Sequence, residues 1–370
     1  MDFTFDEQQQ AVVDLAHQIF TDALAPDLQT ERLRVVEASD DWFDRDLWQV
    51  LADAGLLGIA LGTDVGGAGL DAVALALLLQ AQGAHVAPMP LLPSAVASLV
   101  VDQHCDDAQR QALLPGVITG TTILTVAVQE LLDDRLGEPS CSFTVEPSHG
   151  CPTGRLTGRK VVVEHLDTAD YLLVTASTAD GPRVILIDRS SEGIATQTGP
   201  STRLQPLSDV TFTDVPGQVV GGPTAVTALL NHLRMGICAT QLGVTERALA
   251  LTAEYTSTRH QFGRPIASFQ AVGQRLADQF VNVGGIRLAT LSAAWRLAND
   301  RDATEDLLAA KWWASERATD VANATQHVHG GMGVATDYPL HRYTLWNKHL
   351  ATSLGAGNQT LRELGALLAD

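Results

Sequence analysis

Hydrophobic positions along the chain follow two rhythms, and the switches between them divide it into three stretches. Over residues 1–120 apolar side chains recur at three- and four-residue steps, the period of an α-helix with one hidden face. Phe5, Val12, Val13, Leu15, Ala16 and Ile19 share such a face, and Asp6 or Thr4 is placed to cap its start. A second helix is expected over Phe43–Ala54, where Phe43, Leu47, Val50 and Leu51 recur, with Gly55 as its stop. The glycine-rich GIALGTDVGGAGL reads as a loop. Asp71–Gly83 reads as a buried helix, because its apolar run Leu75–Leu79 sits between polar ends. Pro88, Pro90 and Pro93 predict turns, after which Ser94–Val101 and Asp107–Leu114 resume helical spacing.

Over residues 121–222 the pattern changes. ILTVAV, RKVVVEHL, DYLLVTAS, RVILIDR and DVTFTDV are short β-branched runs between turn residues, which predicts a small barrel or sandwich. Residues 223–370 return to the helical period in longer pieces: Ala225–Thr258, Ser268–Asn299 and Thr304–His327. Successive long helices imply a bundle. The expected fold class is therefore α+β, mainly α: an N-terminal helical domain (1–120), a middle β-barrel domain (121–222) and a C-terminal four-helix bundle (223–370).

Composition narrows the function. At 370 residues, with 45% hydrophobic and 18% charged, the chain is globular, and its length suits two or three domains. Acidic residues outnumber basic ones 43 to 24, giving a formal net charge of −19. That excludes a surface built to grip nucleic acid, which needs a cationic footprint. No apolar run approaches the ~18 residues of a membrane span, and the acidic start does not read as a signal peptide. Cys105, Cys141, Cys151 and Cys238 lack any C-x-x-C spacing and are expected to be free thiols in a reducing, cytoplasmic setting.

Two motifs carry candidate chemistry. In RHQFGRPIASFQ, residues 259–270, Gly263 and Pro265 interrupt the helical pattern and Ser268 is placed to cap the next helix, while Arg259 and Arg264 bracket Phe262. Arginines beside a helix N-terminus can hold a diphosphate, and a solvated loop is the competing reading. In HVHGGMG, residues 327–333, three glycines after a helix let another backbone or ligand approach closely, and a helix cap followed by a turn is the alternative. His327 and His329 are not read as metal ligands, because side chains two residues apart diverge and no third ligand accompanies them. Tyr338–Tyr343 reads as packing against the glycine segment.

Taken in order, DEQQQAVVDLAHQIF, AGLLGIALGTDVGGAGL, TGRKVVVEHLDTADYLLVTA, RHQFGRPIASFQAVGQRLADQF and HGGMGVATDYPLHRY resemble the acyl-CoA dehydrogenase family over nearly the whole chain. The resemblance implies helices flanking a β-barrel, FAD held between subunits, and α,β-dehydrogenation of a CoA thioester. It places Arg259, Gln261, Phe262, Gln270, His327, Gly330 and Gly331 against the FAD of a neighbouring subunit, with His327 where the family usually has Gln. It also places Arg234 near the substrate pocket; from the residues alone, a surface arginine is the alternative.

The departures from the family pattern are as informative. The family's base, a Glu, stands in a Tyr-Glu-Gly-Thr-like turn or just before the arginine nine residues ahead of a helix glycine. Here Gly355 and Leu233 occupy those positions. The Thr-Glu-Pro and Gly-Ser-Asp flavin contacts are absent around Leu124–Glu130, and Val161-Val162-Val163 replaces a Trp-Ile-Thr/Ser contact. The combination resembles one partner of the α2β2 heterotetrameric acyl-CoA dehydrogenases of steroid side-chain breakdown, with FAD shared and the base on the homologous partner subunit. The alternatives are a self-sufficient homotetramer with a relocated base, for which Glu130 and Asp337 are candidates, a flavin monooxygenase on the same fold, or a scaffold without flavin contacts.

Overall fold

The computed structural model describes residues 5–146 and 151–369. Six helices come first: α1 (Glu7–Ala23), α2 (Pro26–Glu37), α3 (Arg45–Asp53), α4 (Ala72–His85), α5 (Leu91–His104) and α6 (Asp107–Ile118). Seven strands follow: β1 (Leu124–Ala127), β2 (Ser142–Glu146), β3 (Thr153–Glu164), β4 (Tyr171–Thr178), β5 (Gly181–Asp188), β6 (Ile194–Pro200) and β7 (Pro206–Gly221). The remainder is α7 (Pro223–Thr258), the short β8 (His260–Gln261) and β9 (Arg264–Pro265), then α8 (Gln270–Ala298), α9 (Thr304–His329), α10 (Leu340–Thr352) and α11 (Gly357–Ala369). Helices, then strands, then helices is the predicted fold class.

Local chemistry explains the ends of the elements. Asp6 caps α1 in a reciprocal box with Gln9, each side chain bonding the other's backbone N–H; Thr4 lies outside the described residues. Asp106 and Gln109 repeat the device at α6. Two sequence expectations are corrected. Pro93 does not break the chain but lies in the first turn of α5, where a missing N–H costs no intrahelical bond. Ser268 does not cap α8: its hydroxyl donates to the Pro265 carbonyl, and Phe269 holds the cap position. The helix α2, the strands β2 and β6, and the last two helices were not anticipated.

The chain divides into two compact units that interleave in sequence. One comprises residues up to Val35, Ala72–Ala87 and everything from Arg234; the other comprises Val36–Asp71 and Pro88–Leu233. In the second unit β4, β2, β3, β7 and β5 pair in succession and β5 returns to β4, closing a small barrel, with β1 added on β4 and β6 on β7. Phe143, Leu156, Leu172, Val174, Ile185, Ile187, Val210 and Phe212 fill its interior. In the first unit α4 and α7 cross where neither carries a side chain: a Cβ on Gly83 would strike the Thr240 carbonyl, and one on Gly243 the Gln80 carbonyl. All four cysteines are free, and Cys141 and Cys238 are buried.

Candidate functional site

The break between α7 and α8 is a built turn. Strands β8 and β9 pair as a hairpin, with Gln261 opposite Arg264, and the two loop residues Phe262 and Gly263 have φ of 53° and 79°. Positive φ at both positions is the turn whose twist matches paired strands, and Asn-Gly is its usual occupant. A phenylalanine there stores strain of ~1–2 kcal/mol. The residue is 92% exposed, and its ring meets that of Phe269 edge to face with centroids 6.1 Å apart. Strain and exposure together mark a side chain held out for something other than its own unit.

The two arginines of the motif separate. Arg264 lies over the Phe269 ring, 4.2 Å from its centroid, and so does not bracket Phe262. Arg259 is exposed, and its guanidinium has no partner among the described residues. The side chains of Gln261 and Gln270 are likewise exposed and unengaged.

The glycine segment meets this hairpin through an aromatic stack. His329, the last residue of α9, stacks on Tyr255 of α7 at 4.2 Å, and its Nε2 lies 3.1 Å from the Tyr338 hydroxyl. Its other nitrogen lies 2.9 Å from the Thr325 carbonyl, and burial keeps the ring's pKa below the ordinary value. Tyr255 is four residues before Arg259 and His329 immediately precedes Gly330, so the stack ties the two motifs together. Sequence reading missed Tyr255, a tyrosine at helical spacing with no motif of its own. Gly330 has φ 57° and ψ −135°, a conformation open essentially to glycine alone, and a Cβ added at Gly330 or Gly331 would meet nothing within 4 Å.

His327 faces a groove of about 790 Å³ between the first half of α8 and the second half of α9, where Gln274, Arg275, Gln279, Asn282 and Asn323 also project. Asp278 and Asp320 offset Arg275 there. The groove therefore offers hydrogen bonds without a net positive field. Gln326 is engaged with the Gly330 carbonyl at 3.3 Å, leaving His327 as the residue of that pair that opens to the groove.

The two family base positions hold no acid. Gly355 sits at φ 104° directly after Leu354 at φ 52°, and Leu233 is buried. Arg234 is not a surface side chain: it is buried, and its guanidinium pairs with Glu363 of α11 at 2.6 Å. Glu130 is no free base either. Its carboxylate is 7% exposed and pairs with the fully buried Lys160 at 2.7 Å. Ser140 donates to it through N–H and hydroxyl, and Cys141 through N–H. Burial pushes its pKa up, but these donors prevail and hold it at about 2. Asp337 is exposed after the glycine segment.

Residues 6–121 match the acyl-CoA dehydrogenase N-terminal domain and residues 221–366 the acyl-CoA dehydrogenase C-terminal domain. FadE27, an acyl-CoA dehydrogenase of Mycobacterium tuberculosis, is 36% identical over 100% of this chain and 99% of its own. The chain belongs to the acyl-CoA dehydrogenase family. FadE28 of the same organism is 30% identical over 92% of this chain and 98% of its own. Among solved structures, a variant of the Tcur3481-Tcur3483 steroid acyl-CoA dehydrogenase superposes with a TM-score of 0.92 at 41% identity, covering 98% of each chain. The ChsE4-ChsE5 complex of Mycobacterium tuberculosis superposes at 0.93 and 37% identity, covering 100% of this chain and 99% of the other.

Acyl-CoA dehydrogenases are FAD-dependent oxidoreductases, and the residues of the first unit fit a dinucleotide. An unpartnered arginine and an exposed ring stand beside glycines that nothing covers, and an amide-lined groove adjoins them. In the barrel, Val161 and Val163 are buried in the wall and Val162 is exposed, so this stretch presents no hydrogen-bonding side chain. No helix among the described residues is long and apolar enough to cross a membrane.

Proposed function

We propose that this chain is one subunit of a heteromeric acyl-CoA dehydrogenase. In this reading it shares FAD with a homologous partner that supplies the base, and the substrate is a steroid side-chain acyl-CoA. The observation that carries the proposal is an asymmetry within one chain. Every predicted cofactor-binding residue (Arg259, Gln261, Phe262, Gln270, His327, Gly330 and Gly331) is exposed and ready to receive a ligand. The positions for a base, Gly355 and Leu233, hold none, and Glu130 is too weak a base and locked in an ion pair.

Dehydrogenation needs a carboxylate to take the proton α to the thioester, and FAD, when bound, would supply the hydride acceptor for the β-hydrogen. This chain would contribute binding rather than proton transfer. Arg259 and Gln261 donate to the diphosphate, the backbone at Gly330 and Gly331 approaches the cofactor closely, and His327 bonds within the groove. Arg234, neutralised by Glu363, lines the substrate side. The steroid assignment draws support from the relatives, one named as a steroid dehydrogenase, two being solved as complexes of two named chains. A rigid, bulky thioester also gives a motive for forfeiting one base to widen a site.

Co-expression with a homologous acyl-CoA dehydrogenase subunit that carries the base tests this. The mixture should bind about one FAD per two chains and turn over a steroid side-chain acyl-CoA, and neither chain should do so alone. A full complement of flavin and turnover from this chain by itself would overturn the proposal.

A further inference from the structure

Lys311, on α9, has no exposed surface and, among the described residues, no ion-pair partner. Its ammonium, with three N–H donors, lies within hydrogen-bond reach of four acceptors instead: the Ser315 hydroxyl at 2.6 Å, and the carbonyls of Leu350 at 3.4 Å, Ala351 at 3.2 Å and Gly355 at 3.0 Å. The first two carbonyls belong to the last turn of α10, where the helix dipole is negative and, of these two, only Leu350 takes a backbone donor, the capping Ser353 N–H at 3.3 Å. The third belongs to the turn that follows. That turn is strained, with Leu354 and Gly355 in succession at positive φ. A non-glycine residue there costs ~1–2 kcal/mol and persists only where its surroundings hold it.

We propose that Lys311 is a positioning residue: the hydrogen bonds of its buried amine tie the Ser353–Gly357 turn to the C-terminus of α10 and fix where the Gly355 backbone stands. Its bearing on catalysis rests on the function proposed above, in which Gly355 of this turn stands at a base position of the family. The tie itself does not depend on that reading.

Other charged or titratable groups near Lys311 do not replace it. Arg234 of α7 is spent on Glu363 of α11. Burial keeps the Cys238 thiol of α7 neutral, pushing it up to about 12. Glu316 of α9 packs against Gly357. Burial lowers the Lys311 amine to about 8. When the turn opens and water reaches the amine, its pKa returns toward the free value near 10.4. Opening above pH 8 therefore takes up a proton, and rising pH favours the closed turn.

Hydrogen exchange at the amides of Ser353, Gly355 and Gln359 reads this directly, with the full chain alone or in its complex, and needs no turnover. In the unaltered chain, protection corrected for intrinsic rate should be flat from pH 6 to 8. It should then rise by up to about tenfold per pH unit. Lys311→Met should lower protection at these amides by about tenfold or more, since three carbonyls lose a donor. It should also abolish the pH rise and leave the barrel amides unchanged. Should Lys311→Met fail to fold, Ser315→Ala serves. Removing one acceptor should weaken protection less and start the rise at lower pH. Unchanged protection at the turn, an equal loss throughout the first unit, or the same pH trend in Lys311→Met would each overturn the inference. A failed partner or activity assay would bear only on the proposed function.

Discussion

The barrel shows how the identity of one residue misleads until its neighbours are known. Glu130 is the carboxylate nearest the expected flavin face in sequence, yet the groups that silence it, Ser140, Cys141 and Lys160, lie 10 to 30 residues away. Lys160 also donates to the Thr175 hydroxyl at 3.0 Å. Glu130→Gln should leave the pH–rate profile of the complex unaltered and lower stability by roughly 3 kcal/mol, because the ammonium is left buried without its counter-charge; denaturant titration measures this. His165 sits at the end of the same strand. It is buried against Trp42 and Phe43, and both ring nitrogens lack hydrogen-bond partners among the described residues. Burial drops its pKa to about 3. The unfolded chain takes up a proton near pH 6.5 and the folded chain does not, so stability is complete above 6.5. It falls as pH drops toward 3, by up to about 4–5 kcal/mol from this group alone. Glu130 adds a second loss between pH 4.5 and 2, because its folded pKa is the lower one. Comparing acid unfolding of the unaltered chain with that of His165→Phe checks the first limb, which should flatten.

At the scale of elements, the helices were legible because periodicity is a local property. The Asp6 box, the stop at Gly55 and the long α7 and α9 all follow from residues a few positions apart. What sequence could not supply was conformation without a residue signature. Nothing in Arg259–Pro265 announces a two-residue hairpin, since phenylalanine is an unfavoured occupant of the left-handed region. Nor does Gly243 say that a neighbouring backbone lies where its Cβ would be. The α4–α7 crossing gives a sharp contrast. Gly243→Ala forces the two backbones apart and should cost about 1–3 kcal/mol. Gly365→Ala on α11, where nothing lies within 4 Å, should be neutral or stabilising by up to about 1 kcal/mol, as helix propensity dictates. Thermal unfolding of both variants separates packing from propensity. If Gly243→Ala proves as harmless as Gly365→Ala, the crossing is looser than its geometry indicates.

For the molecule as a whole, the acidic surface and the apolar face of α8 pull in opposite directions. A net charge of −19 keeps copies of the chain apart. Yet Phe280 and Val281 are 74% and 70% exposed on the same helix as Leu288, with Phe262, Met332 and Val334 exposed on the loops that carry the proposed cofactor residues. Single exposed apolar residues are ordinary, but several on one helix and its adjoining loops mark a surface that a partner covers. If subunit association completes the FAD site, the two should fail together. The double variant Phe280→Ser and Val281→Asn alters largely exposed side chains, so the chain should retain its circular dichroism and nearly all of its unfolding temperature. It should no longer co-purify with its homologous partner, and flavin recovered with the mixture should fall at least about tenfold, as expected when exposed anchors of an interface are removed. Arg259→Ala should separate the two effects: the subunits remain together while flavin is lost, because the change removes an anion contact and leaves the apolar face intact. Retention of flavin by the double variant in an unassociated chain would mean that this chain holds the cofactor unaided.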